Sequence, residues 1–167
     1  MKTEFWNSIA INGLLLALVS IIVTLAQTLI PAYSILFSIF KLIATVGVLF
    51  YFIKQYGMEQ DSFTYGNGFK YGFMVSLCSA IVLTFYMFVH HTYIFPDLFE
   101  TQIDAAMQIA ERFNSAGSID IERLMANLPL YMIFGVFLNA IIYGLIFPAI
   151  LANFTKKELP PFASPEE

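Results

Sequence analysis

The chain has 167 residues and a formal net charge of −4 at pH 7. Hydrophobic residues make up 59% of it and charged residues 12%, whereas soluble domains average about 25% charged residues. The acidic balance leaves no basic patch to neutralise phosphates, so the composition argues against nucleic-acid binding. Cys78 is the only cysteine, which excludes an intrachain disulfide.

Four apolar runs predict four transmembrane helices. They cover residues 9–30, 34–53, 71–92 and 130–152, and each is long enough to supply the ~20 residues that an α-helix needs to cross a bilayer. The first run is too long for the apolar region of a signal peptide, and no small-residue cleavage site follows it, so we expect a retained helix. The predicted fold class is all-α, a polytopic membrane protein with a single transmembrane domain over residues 1–154.

Three segments connect the four predicted spans, and each has a distinct sequence pattern. Pro31 cannot donate a backbone hydrogen bond, so we expect a tight turn at 31–33 that makes the first two helices an antiparallel hairpin. The glycine-containing segment 55–70 joins helices two and three. Residues 97–128 show apolar residues at helical spacing with acids between them, which predicts an amphipathic outer helical segment between helices three and four.

The end of the outer segment and the C-terminal tail are bounded by turn residues and prolines. Residues 114–117 are typical of a break, after which Ser118 is placed to cap a short helix that ends near Leu128. Helix four is expected to begin after Pro129, because proline disrupts a helix interior. The proline-rich tail at 155–167 is expected to be disordered.

The distribution of basic residues orients the four spans. With four crossings, both termini and the loop between helices two and three share one side of the membrane. The lysines on that side are Lys2, Lys54, Lys70, Lys156 and Lys157, and the opposite side holds Arg112 and Arg123. By the positive-inside rule the termini are cytoplasmic and segment 93–129 is periplasmic, which predicts a multi-pass protein of the bacterial inner membrane.

Several short motifs resemble those of a known family. They are the stretch GFKYGF at 68–73, the Pro96-Asp97 step, Ser118-Ile119-Asp120 in the acidic segment, and Lys156-Lys157 after a glycine-containing last helix. Together they resemble DUF4199, a family of bacterial membrane proteins known mainly from Bacteroidetes. The resemblance spans nearly the whole chain and implies a four-helix inner-membrane protein. It implies no activity and no catalytic residues.

Lys41 is the one reliably charged side chain within the predicted spans. It lies about eight residues into helix two, roughly 12 Å deep at ~1.5 Å per residue, where a charge costs a few kcal/mol. A polar stripe on its own helix comprises Ser34, Ser38, Lys41 and Thr45. Small or polar residues at the same kind of spacing form a matching stripe on helix one: Gly13, Ala17, Ser20, Thr24 and Gln27.

Three interpretations of Lys41 follow from its position. We expect it to point into the bundle and to bond Asn139, Thr84 or Thr24, which lie at similar depth on their helices. None of these partners is negative, so the charge leaves room for an anion such as a lipid phosphate, a substrate carboxylate or an acid of a partner protein. The alternatives are interhelical bonding without a ligand, and a side chain that snorkels toward the outer headgroups.

His90 and His91 stand at the outer mouth of helix three, near Asp97 and Glu100. Histidine and carboxylate groups bind zinc, so a metal site or a proton relay is one interpretation. Consecutive helical residues point about 100° apart, and no HExxH or HxxxH spacing is present, so interfacial packing or hydrogen bonding is favoured. We therefore predict no metal and no cofactor.

The sequence lacks the motifs of common enzyme classes. It holds no G-x-S-x-G, Walker A or G-x-G-x-x-G motif, and no acid inside a predicted span. The predicted function is non-catalytic: an accessory, scaffold or anchor subunit of a membrane assembly, in contact with the lipid bilayer and with a membrane-protein partner or further copies of itself. The alternative is a small oligomeric transporter or lipid-binding protein that holds an anionic group near Lys41.

Overall fold

The computed structural model describes residues 2–98, 101, 104, 108 and 121–157. These residues form four long helices: α1 (Lys2–Leu29), α2 (Ser34–Met58), α3 (Tyr65–Val89) and α4 (Ile121–Thr155). A 3-10 turn at Pro31–Tyr33 joins α1 to α2, and a π-helical turn at His90–Ile94 extends α3. Within this described part of the chain, the β pairing is one isolated bridge between Phe63 and Lys157. The fold class is all-α, as the sequence predicts.

All four helices are long and apolar enough to cross a membrane. The candidate spans are Thr3–Leu29, Pro31–Met58, Tyr65–Ile94 and Ile133–Thr155. Most of them extend beyond the predicted apolar runs, because a helix continues through the polar and aromatic residues of the bilayer interface while its backbone bonds stay internal. The chain is thus a polytopic membrane protein.

α4 is longer than the sequence predicts. It begins at Ile121 and runs through position 129 without interruption, so the short helix predicted ahead of Pro129 is part of α4. A proline removes one backbone N–H donor, and membrane helices tolerate this loss where neighbours or local adjustments satisfy the freed carbonyl. The predicted break at 114–117 and the tail beyond residue 157 lie outside the described residues, as does most of the predicted outer segment.

The chain divides into two compact units. The first comprises Met1–Leu83 and Ala140–Glu167, and the second comprises Thr84–Asn139. The buried core of the first unit lies where α1 begins, α2 ends and α3 begins. It consists of Ile9, Leu16, Leu49, Phe52, Ile53, Phe63, Tyr71, Val75 and Leu151.

Tyr71 joins α3 to α1 and α2 in this core. Its ring is fully buried and stacks on Tyr56, with ring centroids 4.0 Å apart. Its hydroxyl lies 2.6 Å from Ser8 Oγ and accepts a hydrogen bond from Asn12 Nδ2 at 2.7 Å. The i, i+4 spacing of Ser8 and Asn12 places both on one face of α1. This pair of polar residues at the start of an apolar run is the sequence signal for the contact.

We expect Tyr71→Phe to lower the free energy of unfolding by about 1–3 kcal/mol, because it keeps the ring but deprives Ser8 and Asn12 of their shared partner. The measurement is thermal unfolding of the purified chain in detergent. Tyr51→Phe is the matched control, since Tyr51 lies on α2 and is largely exposed. Equal melting temperatures for the two variants would show that the Tyr71 hydroxyl contributes nothing to stability.

Candidate functional site

α1 and α2 face each other along a line of polar side chains, which we call the polar seam. It consists of Ser20, Thr24 and Gln27 on α1, and of Ser38, Lys41 and Thr45 on α2. On each helix the three residues are spaced by three and four positions, which keeps them on one face. The three pairs lie at matching distances from the 3-10 turn. The turn therefore sets the register of the antiparallel hairpin.

The outer and inner levels of the polar seam are joined by neutral groups. Nearest the turn, Gln27 Nε2 donates to Ser38 Oγ at 3.1 Å. At the innermost level, Ser20 Oγ lies 3.4 Å from Thr45 Oγ1. Hydrogen bonds between membrane helices are worth about 0.6–2 kcal/mol each, so these pairs contribute modestly to holding the hairpin.

Lys41 occupies the middle level. Its Nζ donates to Thr24 Oγ1 at 2.8 Å, and the Thr24 hydroxyl donates in turn to the Ser20 backbone carbonyl at 2.8 Å. The Ser20 carbonyl polarises the Thr24 hydroxyl, which strengthens the hydrogen bond that this hydroxyl accepts from the ammonium. No group with a full negative charge takes part in this chain of hydrogen bonds. The side chain reaches across to α1 at its own level and not outward toward Gln27, so snorkelling is not its conformation in this structure.

The charge of Lys41 has no counter-charge among the residues that the structure describes. An ammonium carries three N–H donors, and Thr24 accepts one of them. None of the described residues forms an ion pair with Lys41. The middle level of the polar seam can therefore offer an anion one positive charge and the remaining N–H donors.

Thr84 and Asn139, the other residues predicted for a buried polar layer, belong to the second unit. Thr84 is buried, and its hydroxyl oxygen forms no hydrogen bond with the described residues. Asn139 is exposed. The structure brings Lys41 and Thr24 together, and a common layer that also includes Thr84 and Asn139 stays a prediction.

His90 and His91 begin the π-helical turn in the second unit. The Phe95 N–H donates to the His90 carbonyl at 2.8 Å, which closes this turn directly before Pro96. Both imidazoles are buried, and their ring centroids are 5.0 Å apart. His91 Nδ1 lies 3.0 Å from the Met87 carbonyl. A carbonyl only accepts, so Nδ1 of His91 carries the proton in this contact.

The sequence does not predict the π-helical turn, so it does not predict the directions in which the two histidine side chains point. The wider turn shifts the side chains that follow it, and such turns are short and irregular features of otherwise α-helical segments. Within the described ranges, no group of three or more His, Cys, Asp or Glu side chains could hold a metal ion. The metal-site and proton-relay interpretations of His90 and His91 stay predictions.

The helices and the polar seam define the class of protein, a multi-pass membrane protein built from four apolar helices. Residues 11–157 match the model of a family described as a protein of unknown function, DUF4199. Because this match covers nearly the whole chain, the protein belongs to the DUF4199 family, as its short motifs indicate. Comparisons with curated proteins and with solved structures give no match.

Proposed function

We propose that the chain is a non-catalytic accessory, scaffold or anchor subunit of an assembly in the bacterial inner membrane. The observation that carries this proposal is the environment of Lys41. Its ammonium bonds a neutral hydroxyl and has no ion pair among the described residues. A charge held within a membrane is stabilised by an opposite charge. A partner that docks at the polar seam supplies that charge as a consequence of assembly.

The hydrogen bonds of the hydroxyl groups in and beside the polar seam favour a role in binding a partner over a role in catalysis. Thr24 and Ser38 donate to backbone carbonyls of their own helices, and Thr28, one turn beyond Thr24, does the same. A nucleophilic hydroxyl needs an adjacent base that takes its proton, and a backbone carbonyl cannot do this. These side chains therefore hold the hairpin and position the ammonium.

The orientation that we propose places the termini in the cytoplasm. Lys54, Lys70 and Lys157 are exposed at the end of the first unit where α2 ends and α3 begins. The backbone pairing of Phe63 with Lys157 brings the end of α4 to the same place. Basic residues are enriched on the cytoplasmic side of membrane proteins, which supports this orientation.

Lys41→Met is expected to release the partner from the assembly. Truncating one member of a buried charge pair costs about 2–5 kcal/mol, or roughly 30-fold or more in affinity. The measurement is the ratio of partner to tagged chain after purification from native membranes in mild detergent, with the mass of the complex from native mass spectrometry. Lys54→Met is the matched control, because Lys54 is exposed on the same helix.

Two results would contradict the proposal. A wild-type chain that is recovered alone under conditions that preserve other membrane complexes argues against an accessory subunit. A wild-type chain recovered only with phospholipid, which Lys41→Met loses, supports the lipid-binding alternative instead. A partner retained in full by Lys41→Met keeps the accessory role but removes Lys41 from the interface.

A further inference from the structure

We propose that the polar seam lines a water-filled crevice between α1 and α2, which opens at the 3-10 turn and admits small anions as far as Lys41. The crevice belongs to the chain by itself, before any partner docks, so it does not rest on the proposed function. Three features of the hairpin support it: the exposure of the polar seam at each level, the residues that close the seam, and the donors that Lys41 retains.

The polar seam is exposed at its outer level and closes with depth. The hydrogen bond between Gln27 and Ser38, nearest the 3-10 turn, is exposed, and so is the Ser38 side chain. At the middle level Lys41 is partly exposed, and its bond to Thr24 is partly buried. Ser20, at the inner level, is only 3% exposed. Exposure therefore falls from the turn toward the inner level, as it does along a crevice with one mouth.

Two leucines close the crevice below the inner level. On each helix, the next residue of the same face lies one turn further from the 3-10 turn, at Leu16 on α1 and Leu49 on α2. Their side chains are 2% and 3% exposed, and both belong to the buried core of the first unit. Packed leucine side chains offer water no hydrogen bond, so water that enters at the turn stops here.

Water satisfies the donors of Lys41 in a way that lipid cannot. An ammonium has three N–H donors, and in the described part of the chain Thr24 accepts the one hydrogen bond that Lys41 donates. Acyl chains carry no acceptor for the other donors, so contact with lipid would leave them unsatisfied. Lysines within membrane spans face the interior of a bundle or a water-filled cavity. Water that passes Gln27 and Ser38 reaches Lys41 and supplies the missing acceptors.

The charge of Lys41 decides which solutes enter the crevice. The other side chains of the polar seam are neutral, and none of the described residues forms an ion pair with Lys41. A cleft that carries charge of one sign between low-dielectric walls concentrates ions of the opposite sign. Small hydrated anions, such as a halide or a short-chain carboxylate, therefore enter in preference to cations.

Cysteine accessibility tests the crevice in phosphatidylcholine nanodiscs that contain the purified chain alone. Cys78→Ala gives a background without cysteine, into which Ser38→Cys is introduced. Charged methanethiosulfonate reagents stay in water, where the cysteine thiolate attacks their sulfenyl sulfur, a mixed disulfide forms and methanesulfinate leaves. We expect Ser38→Cys to react at least about a hundredfold faster than Phe40→Cys, because a thiolate forms in water and not in hydrocarbon.

Phe40 and Ile43 are the matched controls because they lie on the apolar face of α2, away from the polar seam. Successive helical residues point about 100° apart, so both face away from Ser38 and Thr45 although they lie at similar levels. Each is more than half exposed. We expect Thr45→Cys to react faster than Ile43→Cys, and Leu49→Cys to stay unmodified at the closed end.

Lys41→Gln, combined with Thr45→Cys, measures the selectivity for anions. With Lys41 present, we expect a negative sulfonate reagent to gain over a positive trimethylammonium reagent. Removal of the charge should lower the ratio of the two rates about tenfold. Lys54→Gln is the control, since Lys54 is exposed on the same helix outside the polar seam, and it should leave the ratio unchanged. A ratio that Lys41→Gln does not change overturns the selectivity.

Two further results would overturn the crevice. Equal rates for Ser38→Cys and Phe40→Cys would show that lipid covers both faces of α2. A rate for Leu49→Cys equal to that of Thr45→Cys would show that the leucines do not close the seam. Ser38→Cys changes one atom of an exposed side chain, so the mouth can be tested even if a deeper variant fails to fold, which its melting temperature reveals. The chain is alone in these measurements, so they leave the proposed function untouched.

Discussion

Phe63→Ala is expected to lower the free energy of unfolding by about 3–5 kcal/mol, because it empties a fully buried aromatic site. Phe63 lies in the connection between α2 and α3, outside the candidate spans, so unfolding there exposes the ring to water. The ring fills the space beside two glycines: a Cβ atom at Gly57 would lie 2.6 Å from Phe63 Cδ1, and one at Gly68 would lie 3.2 Å from Cε1.

The same residue ties the end of α4 to this connection. Phe63 N–H donates to the Lys157 carbonyl at 3.0 Å, and Lys157 N–H donates to the Phe63 carbonyl at 2.7 Å. Loss of the ring is therefore expected to loosen both segments together. Faster proteolytic cleavage in the loop between α2 and α3 would report this loosening.

Thermal unfolding in detergent measures the change for Phe63→Ala. Phe154→Ala is the matched control, since it removes the same atoms from a residue of α4 that is 74% exposed. We expect the control to melt close to the wild type. If both variants lose the same stability, packing of Phe63 against the two glycines does not hold this end of the first unit.

Gly13→Ala is expected to destabilise the chain by about 3 kcal/mol, in the upper part of the range for overpacked sites. A Cβ atom at Gly13 would lie 2.6 Å from Cys78 Cβ, 2.8 Å from Cys78 Sγ and 3.1 Å from the Val75 carbonyl oxygen. Cys78 Cβ is bonded directly to the backbone, so rotation of the side chain cannot remove the clash. α1 and α3 would have to move apart.

Gly47→Ala is the control for this substitution. Gly47 is a helical glycine inside a span like Gly13, but an added Cβ meets no atom of the described residues within 4 Å. Replacing a helical glycine by alanine stabilises a helix by up to about 1 kcal/mol, so we expect an unchanged or slightly raised melting temperature. If Gly47→Ala destabilised the chain as much as Gly13→Ala, the destabilisation would come from contacts with lipid or from the helix backbone, and not from the clash with Cys78.

Cys78→Gly supplies a second check on the contact. It removes the two atoms of Cys78 that the new methyl group would meet, so the double variant should regain part of the stability that Gly13→Ala loses. A double-mutant cycle measures this coupling, because residues in contact are not additive. Additive losses would contradict a direct contact between α1 and α3 at this position.

The α1–α2 hairpin is the element that sequence reasoning predicts most completely. Pro31 ends α1, and a turn of three residues leaves two helices few ways to pack. The turn also sets the register of the hairpin, and the polar residues on one face of each helix then meet in pairs, among them Thr24 and Lys41. Thr24 is among the three partners predicted for Lys41 because both residues lie at the same depth, and the structure contains that hydrogen bond.

Contacts between distant segments of the chain are not predictable in this way. Phe63 stands in a polar loop and gives no sign of full burial, since its site is built by Gly57, Gly68 and the end of α4. The bond from Asn12 to Tyr71 likewise needs α1 and α3 to meet. Continuation of α4 through Pro129 depends on its surroundings and not on local propensity.

The sequence by itself determined the membrane location, the number of spans and the hairpin that places Lys41 beside α1, because bilayer thickness and helical periodicity act on neighbouring residues. Only the tertiary structure decided which group meets the ammonium and which groups close the opposite end of the hairpin. Those contacts join residues far apart in the chain, so they depend on how the helices pack. The packing sets the neutral Thr24 hydroxyl against Lys41, which forms no ion pair with any residue that the structure describes.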